Sequence, residues 1–197
     1  NQEISKLDIP TTFSEPIKIS QSIENAQPSP NVIISNEGKI YVLYQDTVVN
    51  EIGTNLYLKT STDNGKTFSE PVRIAEDNFE FDGCVHVGAP MEIDSKGNLH
   101  TVWYTGKQGA PGMYYSTSTD NGKTFSEPIE VLVSDWVPTQ RIFLTVDVND
   151  TVWVTWEDAT GLSTNDRSWR YGDTQAMIYT AQIHDGEVIM ADKPVNI

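Results

Sequence analysis

The sequence predicts an all-β protein built from repeated four-stranded antiparallel units, about three of them in 197 residues. Three observations predict it. Twelve residues recur without a change: Thr60–Pro71, reading TSTDNGKTFSEP, returns as Thr117–Pro128. Runs of β-branched and aromatic residues alternate with Gly, Asn and Asp turn signals, the pattern of short strands. No segment carries a helical period. A long repeat of this kind marks a stacked architecture, in which one small unit cannot bury its apolar face alone.

The elements follow in order. Phe13–Ile19 carries the pattern Ser-Glu-Pro-Ile-x-Ile and predicts an extra outer strand over 13–20. The first unit, over 31–75, opens with Asn31–Ser35, turns through Asn36-Glu37-Gly38 into Lys39–Gln45, and continues with Asn55–Ser61 and Glu70–Ile74. The second, over 89–133, repeats this with Pro90–Ile93, Asn98–Tyr104, Gly112–Ser118 and Glu127–Val131. The third, over 141–197, has Arg141–Val146, Thr151–Glu157 and Gln175–Ile183, with a degraded outer strand at Lys193–Ile197. Pro71 and Pro128 open their strands, which suits an outer edge because proline donates nothing to a ladder. Tyr44, Trp103 and Trp156 align in the second strands and predict packing between units. The whole chain reads as a single domain over 1–197.

The repeated turn has a local logic. Asn-Gly makes a tight turn, and glycine accepts positive φ without penalty. An Asp carboxylate can take hydrogen bonds from its own turn, as Asx turns do. A calcium loop would need several acidic oxygens in alternation, whereas each turn here offers one Asp beside a Lys. The residues Ser61, Asp63, Gly65, Thr67 and Phe68, and again Ser118, Asp120, Gly122, Thr124 and Phe125, fit Ser-x-Asp-x-Gly-x-Thr-Phe. This resembles the Asp-box, or BNR repeat, of sialidase-like β-propellers. The resemblance implies a β-propeller of four-stranded blades, with six blades in a closed sialidase-like ring. Three blades then form part of a longer chain or close the ring as a homo-oligomer.

Composition narrows the partners. A formal net charge of −15 and a pI near 4.4 argue against nucleic acid and anionic membranes. No apolar run is long enough for a spanning helix, so no membrane insertion is expected. Cys84 is the single cysteine, which excludes an intrachain disulfide. Together with the resemblance, this predicts a secreted or cell-surface protein. Asn149-Asp150-Thr151 fits the N-glycosylation pattern. Nothing calls for a cofactor.

In the propeller geometry that the resemblance implies, the repeated turns sit opposite the binding face. That face is formed by loops 21–29, 76–89 and 134–140, and by loops 46–54, 105–111 and 158–174. In the 76–88 stretch, Cys84 and His86 could supply two soft metal ligands or a thiolate with a base, and Asp82 joins them in the predicted ligand-binding set. The alternative is a buried thiol and a hydrogen-bonded histidine that fix the loop. The 158–173 stretch gathers Arg167, Trp169, Arg170 and Tyr171, suited to carboxylates and sugar faces; the alternative is an insertion that covers the edge of the third unit. Trp136 and Arg141 complete the predicted ligand-binding set.

Catalysis is harder to read. A sialidase of that superfamily would show an Arg-Ile-Pro segment, three arginines on the substrate carboxylate, an Asp acid/base and a Tyr nucleophile paired with Glu. Asp8-Ile9-Pro10 lacks the arginine, and Arg73 falls on an outer strand. No catalytic residue is carried over. A retaining glycosidase needs two carboxyl groups about 5 Å apart, for which Asp82, Glu157 and Asp158 are the candidates. The leading expectation is a non-catalytic module that binds a glycan or protein partner through its loop face. The alternatives are an exo-glycosidase acting on terminal sugars and a structural assembly unit.

Overall fold

The computed structural model describes residues 15–20, 30–47, 54–75, 89–105, 112–133, 142–158 and 177–191. They form three four-stranded antiparallel sheets, each in simple chain order. Sheet 1 contains β1 (Asn31–Ile34), β2 (Ile40–Thr47), β3 (Thr54–Ser61) and β4 (Val72–Ala75). Sheet 2 contains β5 (Met91–Ile93), β6 (Leu99–Thr105), β7 (Gly112–Ser118) and β8 (Ile129–Val133). Sheet 3 contains β9 (Ile142–Val146), β10 (Val152–Asp158), β11 (Met177–His184) and β12 (Glu187–Met190). Among the described residues there is no helix, hence none long and apolar enough to cross a membrane.

The β1–β2, β5–β6 and β9–β10 turns share one design. Each needs a positive φ just before its second strand, met by Gly38 at 80°, Gly97 at 87° and Asp150 at 61°. The first two use glycine, which takes that conformation freely; the third makes an L-residue take it, at a cost of about 1–2 kcal/mol. The β3–β4 and β7–β8 pairs each carry a bulge at the same place, Leu56/Tyr57 and Met113/Tyr114.

Strand alternation gives each sheet two faces. On sheet 1, Tyr41, Leu43, Leu56, Leu58 and Ile74 point forward and pack on Met91, Leu99 and Trp103 from the rear of sheet 2. Sheet 2 in turn sends Val102, Met113, Tyr115 and Val131 forward onto Ile142, Leu144, Val152, Val154 and Trp156 of sheet 3. The first strands β1, β5 and β9 neighbour one another, so the sheets fan from a common inner edge. Of the aligned aromatics, Trp103 and Trp156 lie in these layers, whereas Tyr44 is buried on the other face of sheet 1. Each faces a tyrosine across its sheet, in the pairs Tyr44–Tyr57, Trp103–Tyr114 and Trp156–Tyr179, with ring centroids 6.0, 6.4 and 6.0 Å apart.

Two strand expectations change. The outer strand expected over 13–20 makes no ladder in its described part, 15–20. The outer edge of β3 is already taken by β4; Lys59 Nζ donates to the Ile19 carbonyl instead, at 2.9 Å. The fourth strand of sheet 3 is β12, not a strand at 193–197, which lies outside the described residues. Asp185 and Gly186 take φ of 48° and 80°, so a two-residue turn reverses the chain at once and pairs His184 with Glu187.

Candidate functional site

The two ends of the sheets differ in what they expose. At one end lie the repeated turns. Ser61 Oγ donates to Asp63 Oδ1 at 2.8 Å and accepts from the Gly65 N–H at 2.9 Å. Thr67 donates through its N–H to Asp63 Oδ1 at 2.9 Å and through Oγ1 to Asp63 Oδ2 at 2.6 Å. Ser118, Asp120, Gly122 and Thr124 repeat the same bonds. Thr67 above all, with Ser61, holds the Asp63 carboxyl down to about 2; Thr124 does the same for Asp120, which lies well below the usual range. Both carboxylate oxygens are thus spent on the turn itself. Phe125 packs against the first apolar layer, as an anchor would.

The same end carries a buried polar chain on sheet 2. Asp94 accepts from the N–H groups of Lys96 and Asn98 at 2.9 and 2.7 Å, and from Asn98 Nδ2 at 2.7 Å. His100 Nδ1 lies 2.5 Å from Tyr115 Oη. Its Nε2 is 3.4 Å from Asp94 Oδ2, a charge contact short of a full hydrogen bond. Burial lowers the His100 pKa, outweighing the pull of Asp94 and Asp150. Burial also drives Tyr115 up to about 12. From sheet 3, Asp150 accepts from the Ser95 N–H and Oγ, each at 2.9 Å, and meets Lys96 Nζ at 3.2 Å.

The opposite end of sheet 1 gathers another set. Gln45, Asp46 and Asn55 are buried there. Arg73 Nη2 donates to Asn55 Oδ1 at 2.6 Å, and Asn55 Nδ2 has no partner among the described residues. Burial, then Asp46 and Tyr57, push Tyr44 up to about 12. Arg73 does lie on an outer strand, but its side chain reaches inward across the sheet.

Solved structures settle what this fan of sheets is. The α-L-arabinofuranosidase of Fusarium graminearum, bound to arabinobiose, aligns over 80% of this chain and 45% of its own, with 11% identity and a TM-score of 0.57. A polysaccharide lyase acting as an ulvan lyase aligns over 91% and 44%, with 16% identity and a TM-score of 0.53. A thermostable family-43 glycoside hydrolase aligns over 85% and 58%, with 13% identity and a TM-score of 0.52. The chain adopts a β-propeller fold. Its three sheets are three blades, and it spans between 44% and 58% of the lengths of these neighbours. At such identities the likeness concerns the fold. No family model matches the chain, and no curated protein does.

The blades put the predicted site residues in context. Asp82, Cys84, His86, Trp136, Arg141, Arg167, Trp169, Arg170 and Tyr171 lie outside the described residues. Glu157 and Asp158 are the last two residues of β10, opposite Ile178 and Met177. Counted from the start of the second strand, Asp158 occupies the register of Asp46 in blade 1 and Thr105 in blade 2. Among the described residues, no group of three or more His, Cys, Asp or Glu is placed to hold a metal. Sequence reasoning passed over Asp46, Asn55, His100 and Tyr115. The signal for Asp46 was its register match with Asp158. His100 and Tyr115 gave none, because each looks like an ordinary strand residue until its neighbour across the sheet is known.

Proposed function

We propose that this propeller is an extracellular, non-catalytic module that binds a glycan on the blade face opposite the repeated turns. One observation carries the reading: Asp46 and Asn55 lie buried opposite each other at that end of blade 1, and the Arg73 side chain, exposed on β4, donates to Asn55 Oδ1. Polar groups held on rigid strands beneath loops are what orients a hydroxyl-rich ligand. At the other end the Asp63 and Asp120 carboxylates are consumed by their own turns. The solved neighbours bearing this fold include an α-L-arabinofuranosidase in complex with arabinobiose and a polysaccharide lyase, an ulvan lyase. A net charge of −15 repels polyanions at low salt, so neutral glycans are the favoured class.

The test is affinity electrophoresis and calorimetry against a panel of neutral and acidic polysaccharides, with reducing-end and fluorogenic sialoside assays beside it. Retention by neutral glycans without turnover is the expected result, weakened in Asn55→Ala. Sugar release by the folded protein would replace this reading with the exo-glycosidase one. A folded protein that binds no glycan leaves only the protein-partner or assembly role.

A further inference from the structure

We propose that the joint between blades 2 and 3 is an acid-sensitive latch, closed while His100 is neutral and loosened when His100 takes up a proton. The argument begins with a comparison of equivalent positions. Asp147 in blade 3 repeats Asp94 in blade 2: it accepts from the N–H groups of Asn149 and Thr151 at 2.8 and 3.0 Å. It also accepts from Trp153 Nε1 at 3.1 Å. Trp153 and His100 occupy the same register, each the second residue of its strand. The repetition assigns the His100 tautomer. Nε2 carries the proton and faces Asp94, as the indole N–H faces Asp147. Nδ1 is then the bare nitrogen and accepts from the Tyr115 hydroxyl.

A second proton can go only to Nδ1. Tyr115 must then turn its hydroxyl from donor to acceptor, in a place where both residues are buried. The new charge sits against Tyr115, which itself packs in the apolar layer with Val102, Leu144, Val152 and Val154. The surrounding charges do not neutralise it cleanly. Asp94 and, from blade 3, Asp150 attract it, and Lys96 repels it. Glu92 stands opposite His100 on β5. Burial is the largest influence, and the net direction is a lowered His100 pKa. The unfolded chain therefore binds this proton at higher pH than the folded one. The stabilisation is complete above about pH 6.5, the ordinary histidine value, and is lost as pH falls below it. The joint between blades 1 and 2 has no such group, because Tyr41 and Leu58 occupy these positions there.

The experiment compares the intact chain with the double variant His100→Tyr/Tyr115→Leu, which installs the blade 1 pair in blade 2. Urea unfolding is followed at intervals from about pH 7.5 to 5. The folding equilibrium constant of the native sequence should fall by up to about tenfold per pH unit below about pH 6.5. The variant should be flatter over the same range, with His86 and His184 common to both proteins. Equal slopes overturn the proposal. If the variant does not fold, NMR titration of the native imidazoles decides. A His100 midpoint below the ordinary histidine range, with amide exchange rising in β9 and β10 before β1 and β2, supports the latch. A midpoint at or above that range, or loosening that begins in blade 1, overturns it.

Discussion

Blades 1 and 2 meet through a turn, whereas blades 2 and 3 meet through a cluster of titratable groups. In the first joint the second repeated turn is driven against blade 1. Lys39 Nζ donates to the Asn121 carbonyl at 2.9 Å, and a Cβ placed on Gly122 would lie 2.6 Å from Leu58 Cδ2 and 3.2 Å from Leu99 Cδ1. In the second joint, blade 3 has Asp185-Gly186 in place of that turn, and Asp150 clasps Ser95 and Lys96. Asp150 keeps its positive φ where the other blades use glycine. The strain is offset by bonds that glycine has no side chain to make.

The two copies of the repeated turn sharpen the lesson. Their sequences and internal bonds match, yet Gly122 is buried while Gly65 is only half-buried. A Cβ on Gly65 would meet just Ile40 Cδ1, at 3.6 Å. The turn is a self-contained piece of chain, and what stands behind it decides whether it also locks two blades. On the same rear side of blade 1, Val32 and Ile34 are 56% and 62% exposed, whereas Val42 and Tyr44 are buried.

The comparison can be broken in three places. The largest effect should come from the apolar layers that the joints share. Trp103→Ala in the first and Trp156→Ala in the second should each cost about 3–5 kcal/mol in chemical denaturation. Markedly unequal losses would mean the layers themselves differ, not only their polar locks. Next come the glycines. Gly65→Ala should cost about 1–2 kcal/mol for its positive φ, and Gly122→Ala about 1–3 kcal/mol more for overpacking Leu58 and Leu99. Equal costs would show that the second turn is not pressed into the joint. The smallest effect is expected for Lys39→Ala, an exposed contact worth less than about 1 kcal/mol. Its loss should shrink further at high salt, and a cost rivalling Gly122→Ala would make the lysine the real lock.

Much of the fold was legible because strands and turns are local. The period of alternation, the Gly and Asn at turn positions and the duplicated segment located most of the strands in their correct places. Where the reading slipped, a local signal was underweighted. Asp185-Gly186 between two strand-like runs is a hairpin signature, and it places β12 directly after β11. The extra strand over 13–20 was read from its likeness to β4 and β8, but likeness supplies no free edge to pair with.

The site was less legible, for a different reason. Asp46, Asn55 and Arg73 become a group only when β2, β3 and β4 of one blade are laid side by side.

By itself the sequence determined the all-β class, the four-stranded unit, its turns and its repetition, since each rests on the φ preferences and side-chain alternation of a few adjacent residues. The tertiary structure alone decided which turn would be wedged into a joint, which aspartate would clasp its neighbour and which histidine would be buried neutral. Asn121 meets Tyr41 from 80 positions away and Asp150 meets Ser95 from 55. Desolvation and hydrogen-bond pairing across such gaps depend on how whole sheets come together, which no local window contains.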